Sequence, residues 1–197
     1  MFGLQNMPKP LTPETIRQAA GGDHHAFRTL VETHQAFAYA VAFRFVGQAG
    51  DAEDIVQEAF VRLWKNLHQY RPEVKLTTWL YRIIANLCLD LLKSRPERQR
   101  RKTVSIDDSH VVATPGTPEE HLQQQELMDA IRAAADELTP VQRAVFVLRD
   151  LEDLPVDEVS DILSMPAGNV KSNLYYARRK VGEHLKTLYR TDKWPML

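Results

Sequence analysis

The stretch Val156-Asp157-Glu158-Val159-Ser160-Asp161-Ile162-Leu163-Ser164-Met165-Pro166-Ala167-Gly168-Asn169-Val170-Lys171-Ser172-Asn173-Leu174-Tyr175-Tyr176-Ala177-Arg178 sets how the chain is read. A short helix over Val156 to Leu163 is predicted first, then a break at Ser164-Met165-Pro166. A second helix follows, with Val170, Leu174, Ala177, Val181 and Leu185 recurring at helical intervals on one face. Two helices across such a break fit a helix-turn-helix, whose second helix enters the major groove of DNA by its N-terminal part. There Asn169, Lys171 and Asn173 can reach base edges, and the Ser172 hydroxyl can bond base or phosphate. Arg178, Arg179 and Lys180 lie further along and suit phosphates. The spacing alone also fits a helical hairpin with a solvated basic face.

Upstream of this unit, Leu127, Ile131, Ala134 and Leu138 carry a helical pattern, and Thr139-Pro140 restarts it with Val141, Val145, Phe146 and Leu148 on the next face. From Pro96 to Glu119 periodicity stops, and Thr114-Pro115-Gly116-Thr117-Pro118 punctuates a stretch that reads as a flexible linker. Before it, three long helices are expected. The first has Phe27, Leu30, Val31, Phe37, Ala38, Val41, Ala42 and Phe45 on one face and ends at Gly47-Gln48-Ala49-Gly50. The second is expected to be capped by Asp51 and to bury Ile55, Val56, Phe60, Leu63, Trp64 and Leu67. The third is expected to be capped by Thr77 or Thr78, with Trp79, Leu80, Ile83, Ile84, Leu87, Leu91 and Leu92 along its stripe. No useful strand alternation and no internal repeat occurs. The reading is all-α, with two small helical domains over 1–95 and 126–197 and a linker over 96–125.

Composition agrees with a soluble globular chain: 197 residues, 44% apolar and 26% charged, enough for one ordinary core or two small ones. The formal net charge of −1 conceals segregation. Carboxylates gather at Asp51 to Glu58, and cations gather at Lys93 to Lys102 and Lys171 to Lys180, so local fields choose the partners. The single cysteine, Cys88, excludes an intramolecular disulfide framework and a cysteine-based zinc site, and suits a reducing cytosol. Its apolar neighbours predict a buried thiol. The opening residues lack the build of a secretory signal, and no apolar run approaches the ~20 residues of a membrane span. A cytoplasmic protein without membrane insertion is expected.

Family resemblance begins in the C-terminal unit. Glu137-Leu138-Thr139-Pro140-Val141-Gln142-Arg143-Ala144-Val145-Phe146, then Leu154 to Leu163 and Gly168 to Arg178, resemble region 4 of bacterial RNA polymerase sigma factors. That resemblance implies readout of the duplex minus-thirty-five element by Asn169, Lys171, Ser172, Asn173, Tyr175, Tyr176, Arg178 and Arg179. The chain departs from the family at Asn169 (threonine is typical), Asn173 (arginine) and Tyr176 (a basic residue), so family base preferences do not transfer. Pro166 also stands where a serine cap is common.

In the N-terminal unit, Asp51-Ala52-Glu53-Asp54-Ile55-Val56-Gln57-Glu58-Ala59-Phe60 with Trp64 resembles sigma region 2.2. Asp54, Gln57, Glu58 and Val61 fall on neighbouring positions of one helical face. The resemblance makes Asp51, Asp54, Gln57 and Glu58 contacts to the basic clamp coiled coil of the polymerase core, with the flap as a second polymerase contact. The segment Leu76 to Arg95 resembles sigma regions 2.3 and 2.4, which hold the melted minus-ten element. Extruded bases need stacking or edge hydrogen bonds and a freed strand needs cations. On that reading the minus-ten contacts are Arg71, Lys75, Arg82, Asn86, Asp90, Lys93 and Arg95, while Trp79 is a core aromatic.

The family as a whole is that of small extracytoplasmic-function sigma factors. Membership implies a stress-response role, no catalytic site, no metal and no cofactor. The implied partners are RNA polymerase core, promoter DNA as duplex and as melted strand, and an anti-sigma protein. Two other readings stay open on the residues themselves. A conventional helix-turn-helix regulator predicts a dimer on a palindrome. A metal-dependent nuclease would use the carboxylates of Asp51 to Glu58, but no ligand spacing supports it. His24 and His25 are adjacent and lack a third ligand, so both are expected at the surface.

Overall fold

The computed structural model describes residue 8 and residues 10–71, 74–99 and 133–189, with side chains at 95–99 and 187–189 excepted. All described elements are helical: α1 (Pro13–Ala20), α2 (His24–Val46), α3 (Ala49–Asn66), α4 (Leu76–Gln99), α5 (Pro140–Phe146), α6 (Val156–Leu163) and α7 (Ala167–Tyr189).

Local chemistry explains most boundaries. Thr12 caps α1 by accepting from the Thr15 N–H at 3.2 Å, with Pro13 opening the helix. Asp23 caps α2 through the N–H groups of His25 and Ala26. Gly47 ends α2 in the left-handed region at φ 71°, where a side chain would be strained, and returns its N–H to the Phe43 carbonyl at 2.8 Å.

Two expected caps are corrected. The helix assigned to Asp51 begins earlier, at Ala49, after Gln48 in extended conformation without a side-chain cap. Asp51 instead sits in the first turn, where the helix dipole favours a carboxylate. Thr77 and Thr78 lie inside α4, which starts at Leu76 with the Trp79 N–H on the Lys75 carbonyl. At its other end α4 runs through Pro96 to Gln99, past the expected boundary at Arg95.

The first helices pack around one core. Leu30, Phe37, Val41 and Phe45 from α2 meet Leu63 from α3 and Leu80, Ile84 and Cys88 from α4, all buried. Each such side chain contributes about 1.5–3 kcal/mol by leaving water. The expected burial of Cys88 is met. Tyr81 lies edge-on to Phe37 with ring centroids 5.0 Å apart.

In the C-terminal unit Thr139 and Gln142 form a reciprocal capping box at the start of α5. A π-helical turn, Val147–Leu151, then leads to Glu152. The break before α7 is made by Ser164 in the left-handed region at φ 50°, and the Pro166 carbonyl receives the N–H groups of Asn169 and Val170. Val170, Leu174, Ala177, Val181 and Leu185 are buried, as their spacing predicts. The pattern at Leu127 and Ile131 and the linker lie outside the described residues.

Both expected helical units are present, and they touch. Helix α4 packs on α6 and α5, and one apolar cluster runs from Leu30 and Leu80 through Val145, Leu148, Val159 and Ile162 to Val170. A second, smaller cluster joins Ala134, Leu138, Phe146, Ala177, Val181 and Leu185 within the C-terminal unit.

Candidate functional site

Helix α3 turns Asp54, Gln57, Glu58 and Val61 to solvent because its other face is taken by Ala52, Ile55, Ala59 and Leu63. Glu58 holds Arg62 one turn on, at 2.8 Å. Between α3 and α4 lies an open acidic groove. Asp51, Asp54 and Glu58 edge it on one side and Asp90 and Ser94 on the other, over Ile55, Leu87 and Leu91. Such a surface attracts a cationic helix with some apolar character. Among the described residues no cluster of three or more histidines, cysteines or carboxylates could hold a metal ion.

Residues expected at the minus-ten element do not share one setting. Arg71, Lys75, Asn86 and Lys93 are exposed. Arg82 is also exposed, but it donates to the Asp161 carbonyl of α6 at 2.7 Å. Asp90 opens into the acidic groove, in company with the α3 carboxylates rather than with a cationic strand-binding surface. The Arg95 side chain lies outside the described residues. Trp79 is half-buried and stacks on Tyr70, centroids 5.8 Å apart, which accords with its reading as a packing aromatic. His24 and His25 are exposed, and His24 stacks on Trp64.

On α7 the exposed face presents Asn169, Lys171, Ser172, Tyr175, Tyr176 and Arg179 together. Tyr175 and Tyr176 are 63% and 52% exposed, uncommon for large aromatics with no surface role. The hydroxyl of Ser172 and the amide of Asn173 both donate back to the Asn169 carbonyl, at 3.2 and 2.8 Å, which pre-orients the first turn. Arg179 pairs with Glu183 on its own helix.

Arg178 differs from these neighbours. Its guanidinium forks onto Asp150 of the π-helical turn, Nε to Oδ2 at 2.9 Å and Nη2 to Oδ1 at 2.7 Å. This bond raises its pKa above the ordinary arginine value. Its geometry ties α7 to the preceding turn, a bidentate role that its sequence position beside Arg179 does not reveal.

Sequence reasoning also missed a polar seam between the units. Glu152 is 6% exposed and receives the Tyr81 hydroxyl at 2.9 Å and the Arg44 guanidinium, both from the N-terminal unit. Burial, and then the adjacent Glu152 carboxylate, push the Tyr81 phenol far above its usual pKa, so it stays a donor. Thr78 donates to Glu158 at 2.5 Å. Arg143, itself buried, reaches the Phe45 carbonyl at 3.0 Å, the Ala135 carbonyl at 2.9 Å and the Asp136 carboxylate. No local signal could expose these contacts, because Glu152 lies 71 residues from Tyr81 and 108 from Arg44.

A family model described as Sigma-70 region 2 matches residues 30–98, and one described as Sigma-70, region 4 matches 128–181. The chain is 32% identical over 179 residues to the ECF RNA polymerase sigma factor SigW of Bacillus subtilis, covering 88% of this chain and 96% of that one. It is 28% identical over 191 residues to the ECF RNA polymerase sigma-E factor of Escherichia coli, covering 93% and 100%. In fold it is similar to the sigma factor RpoE solved in complex with the anti-sigma factor NepR from Bartonella quintana. That likeness has a TM-score of 0.63 and 22% identity, over 81% of this chain and 96% of that one.

Proposed function

Because this chain belongs to the ECF RNA polymerase sigma factors, which direct the polymerase core to promoters and promote strand opening, we propose a residue-level division of that work. Asp51, Asp54, Gln57 and Glu58 dock α3 on a basic helical hairpin of the core's clamp. Asp90 assists them, since its carboxylate shares their groove and would repel a phosphate strand. Arg71, Lys75, Arg82, Asn86 and Lys93, with Arg95, hold the melted minus-ten strand, the cations on phosphates and Asn86 on a base edge. Lys171, Ser172, Asn173, Tyr175 and Tyr176, following Asn169, read the minus-thirty-five duplex in the major groove, with Arg179 on a phosphate.

The observation that supports this most is the pairing of surfaces. One acidic helix face is left open on α3, and one polar, aromatic and cationic face is left open on α7 of the same chain. The polymerase carries out bond formation; this chain supplies placement and strand capture. Two modest DNA contacts, tethered to each other and to the core, gain affinity through effective concentration. An anti-sigma protein covering the same faces would keep the factor inactive, as the similar RpoE–NepR complex suggests. No described helix is long and apolar enough to cross a membrane.

Run-off transcription tests the reading directly. Purified bacterial core polymerase is supplied with a pool of host promoter fragments at moderate salt, with and without this chain. Discrete new transcripts are expected only with it. Their absence, joined to tight binding of a palindromic duplex by the chain alone, would overturn the assignment in favour of a conventional regulator.

A further inference from the structure

Resting on that promoter reading, we infer that Asn173 is a specificity-determining residue of α7 and that the base it selects in the duplex element is adenine.

A carboxamide carries two N–H donors and one carbonyl acceptor, and its neighbours decide which way it points. In α7 the Nδ2 group of Asn173 spends one hydrogen on the Asn169 carbonyl, at 2.8 Å. The reversed amide would set Oδ1 against that carbonyl, oxygen on oxygen, so the orientation is fixed. One N–H and one C=O are left side by side for a ligand. Adenine offers the complement of that pair in the major groove, N7 as acceptor beside N6–H as donor. Guanine presents acceptors at both N7 and O6, which would set O6 against Oδ1. Cytosine and thymine each present a single polar group there, and satisfy only half of the amide.

Position agrees with this chemistry. Asn169, Asn173 and Tyr176 are spaced to form one stripe along the helix. The bond to Asn169 draws the amide toward the N-terminal turn of α7, the part of a recognition helix that enters the groove. Asn173 is also half-buried, so an amide already held in place loses little freedom on binding. Ser172 donates to the same carbonyl over a longer 3.2 Å, and its oxygen is left as an acceptor only. Tyr176, its ring set against the Tyr175 ring at 5.5 Å between centroids, offers apolar surface suited to a thymine methyl.

Guanine, in contrast, has few readers on this helix. It is matched best by a cation that supplies two donors. From Ala167 to Ala177 the one cationic residue is Lys171. Arg178 is committed to Asp150, and Arg179 pairs with Glu183. The arginine typical of the family at the Asn173 position and the basic residue frequent at the Tyr176 position are both replaced here. The exchange at Asn173 turns a set of donors into one donor beside one acceptor, which changes the preferred base.

The experiment uses holoenzyme assembled from core polymerase and the full chain, on a promoter that run-off transcription identifies. Each base pair of its upstream duplex element is replaced in turn, and relative affinity is read by competition at fixed salt. At one pair the parent is expected to prefer A·T over G·C by about tenfold or more. Asn173→Ala should abolish that preference and leave those at other pairs unchanged, and Asn173→Arg should turn it toward guanine. Replacing N7 of that adenine by carbon should weaken the parent severalfold yet leave Asn173→Ala unaffected, a coupling that a merely structural role would not produce. Both variants should keep the helicity and core affinity of the parent, since alanine and arginine favour a helix more than asparagine does. Unchanged base preferences in Asn173→Ala, or a parent preference for G·C at the pair that this variant affects, would overturn the assignment while the promoter reading stood. A parent that yields no transcripts, or is indifferent to every pair of the element, would overturn the promoter reading and this inference with it.

Discussion

Arg178→Ala separates two roles that the sequence cannot distinguish. If Arg178 clamps the π-helical turn, removing it strands Asp150, whose side chain is only 15% exposed. Each hydrogen bond to a charged group contributes about 1.5–3 kcal/mol when well shielded. Arg178 is 37% exposed, so solvent screening reduces the fork to about 1–2 kcal/mol in all. Urea unfolding of the parent, Arg178→Ala, Asp150→Ala and the double variant should therefore give two similar single losses and a coupling of about 1 kcal/mol, with the double variant little worse than either single. Binding to the recognised promoter duplex by the polymerase-bound factor should keep its salt dependence in Arg178→Ala. Arg179→Ala, which removes a solvent-facing cation, should lower the log–log slope by about 0.9. A slope that falls as far for Arg178→Ala as for Arg179→Ala, together with no coupling to Asp150, would refute the clamp and restore Arg178 to the phosphate set.

Asp54→Ala with Gln57→Ala should weaken core binding about tenfold or more, measured by fluorescence anisotropy, while helicity and melting stay near those of the parent because both residues are exposed; unchanged affinity would remove them from the docking set. Alanine at Lys171, Ser172 and Asn173 together should reduce promoter use without reducing core affinity, and an equal loss of both would end their assignment to base readout. His34 is buried with its Nδ1 on the Leu30 carbonyl at 2.9 Å, and burial lowers its pKa below the usual 6.5. The unfolded chain thus takes up the proton first, so stability is full above about pH 6.5 and is lost as pH falls from there toward the folded pKa, by at most about 1.4 kcal/mol per pH unit. Denaturant titrations of the parent and His34→Leu between pH 7.5 and 5 should diverge by that trend, and parallel curves would refute it.

Periodicity made the helices legible because burial acts at local spacing: Val156 to Leu163 and the stripe Val170 to Leu185 are found where the apolar residues recur. Caps were less legible. Asp51 and Thr77 have the right chemistry for an N-cap, but Ala49 and Leu76 are buried, and burying them draws each helix start further upstream. The exposed sites followed from faces: once Ile55, Ala59 and Leu63 turn inward, Asp54, Gln57 and Glu58 must turn out. What stayed hidden was every role set by a distant partner. Arg178 looks like its neighbour Arg179 until Asp150, 28 residues earlier, is brought against it. Glu152 looks like one more surface carboxylate between Leu151 and Asp153 until the units dock.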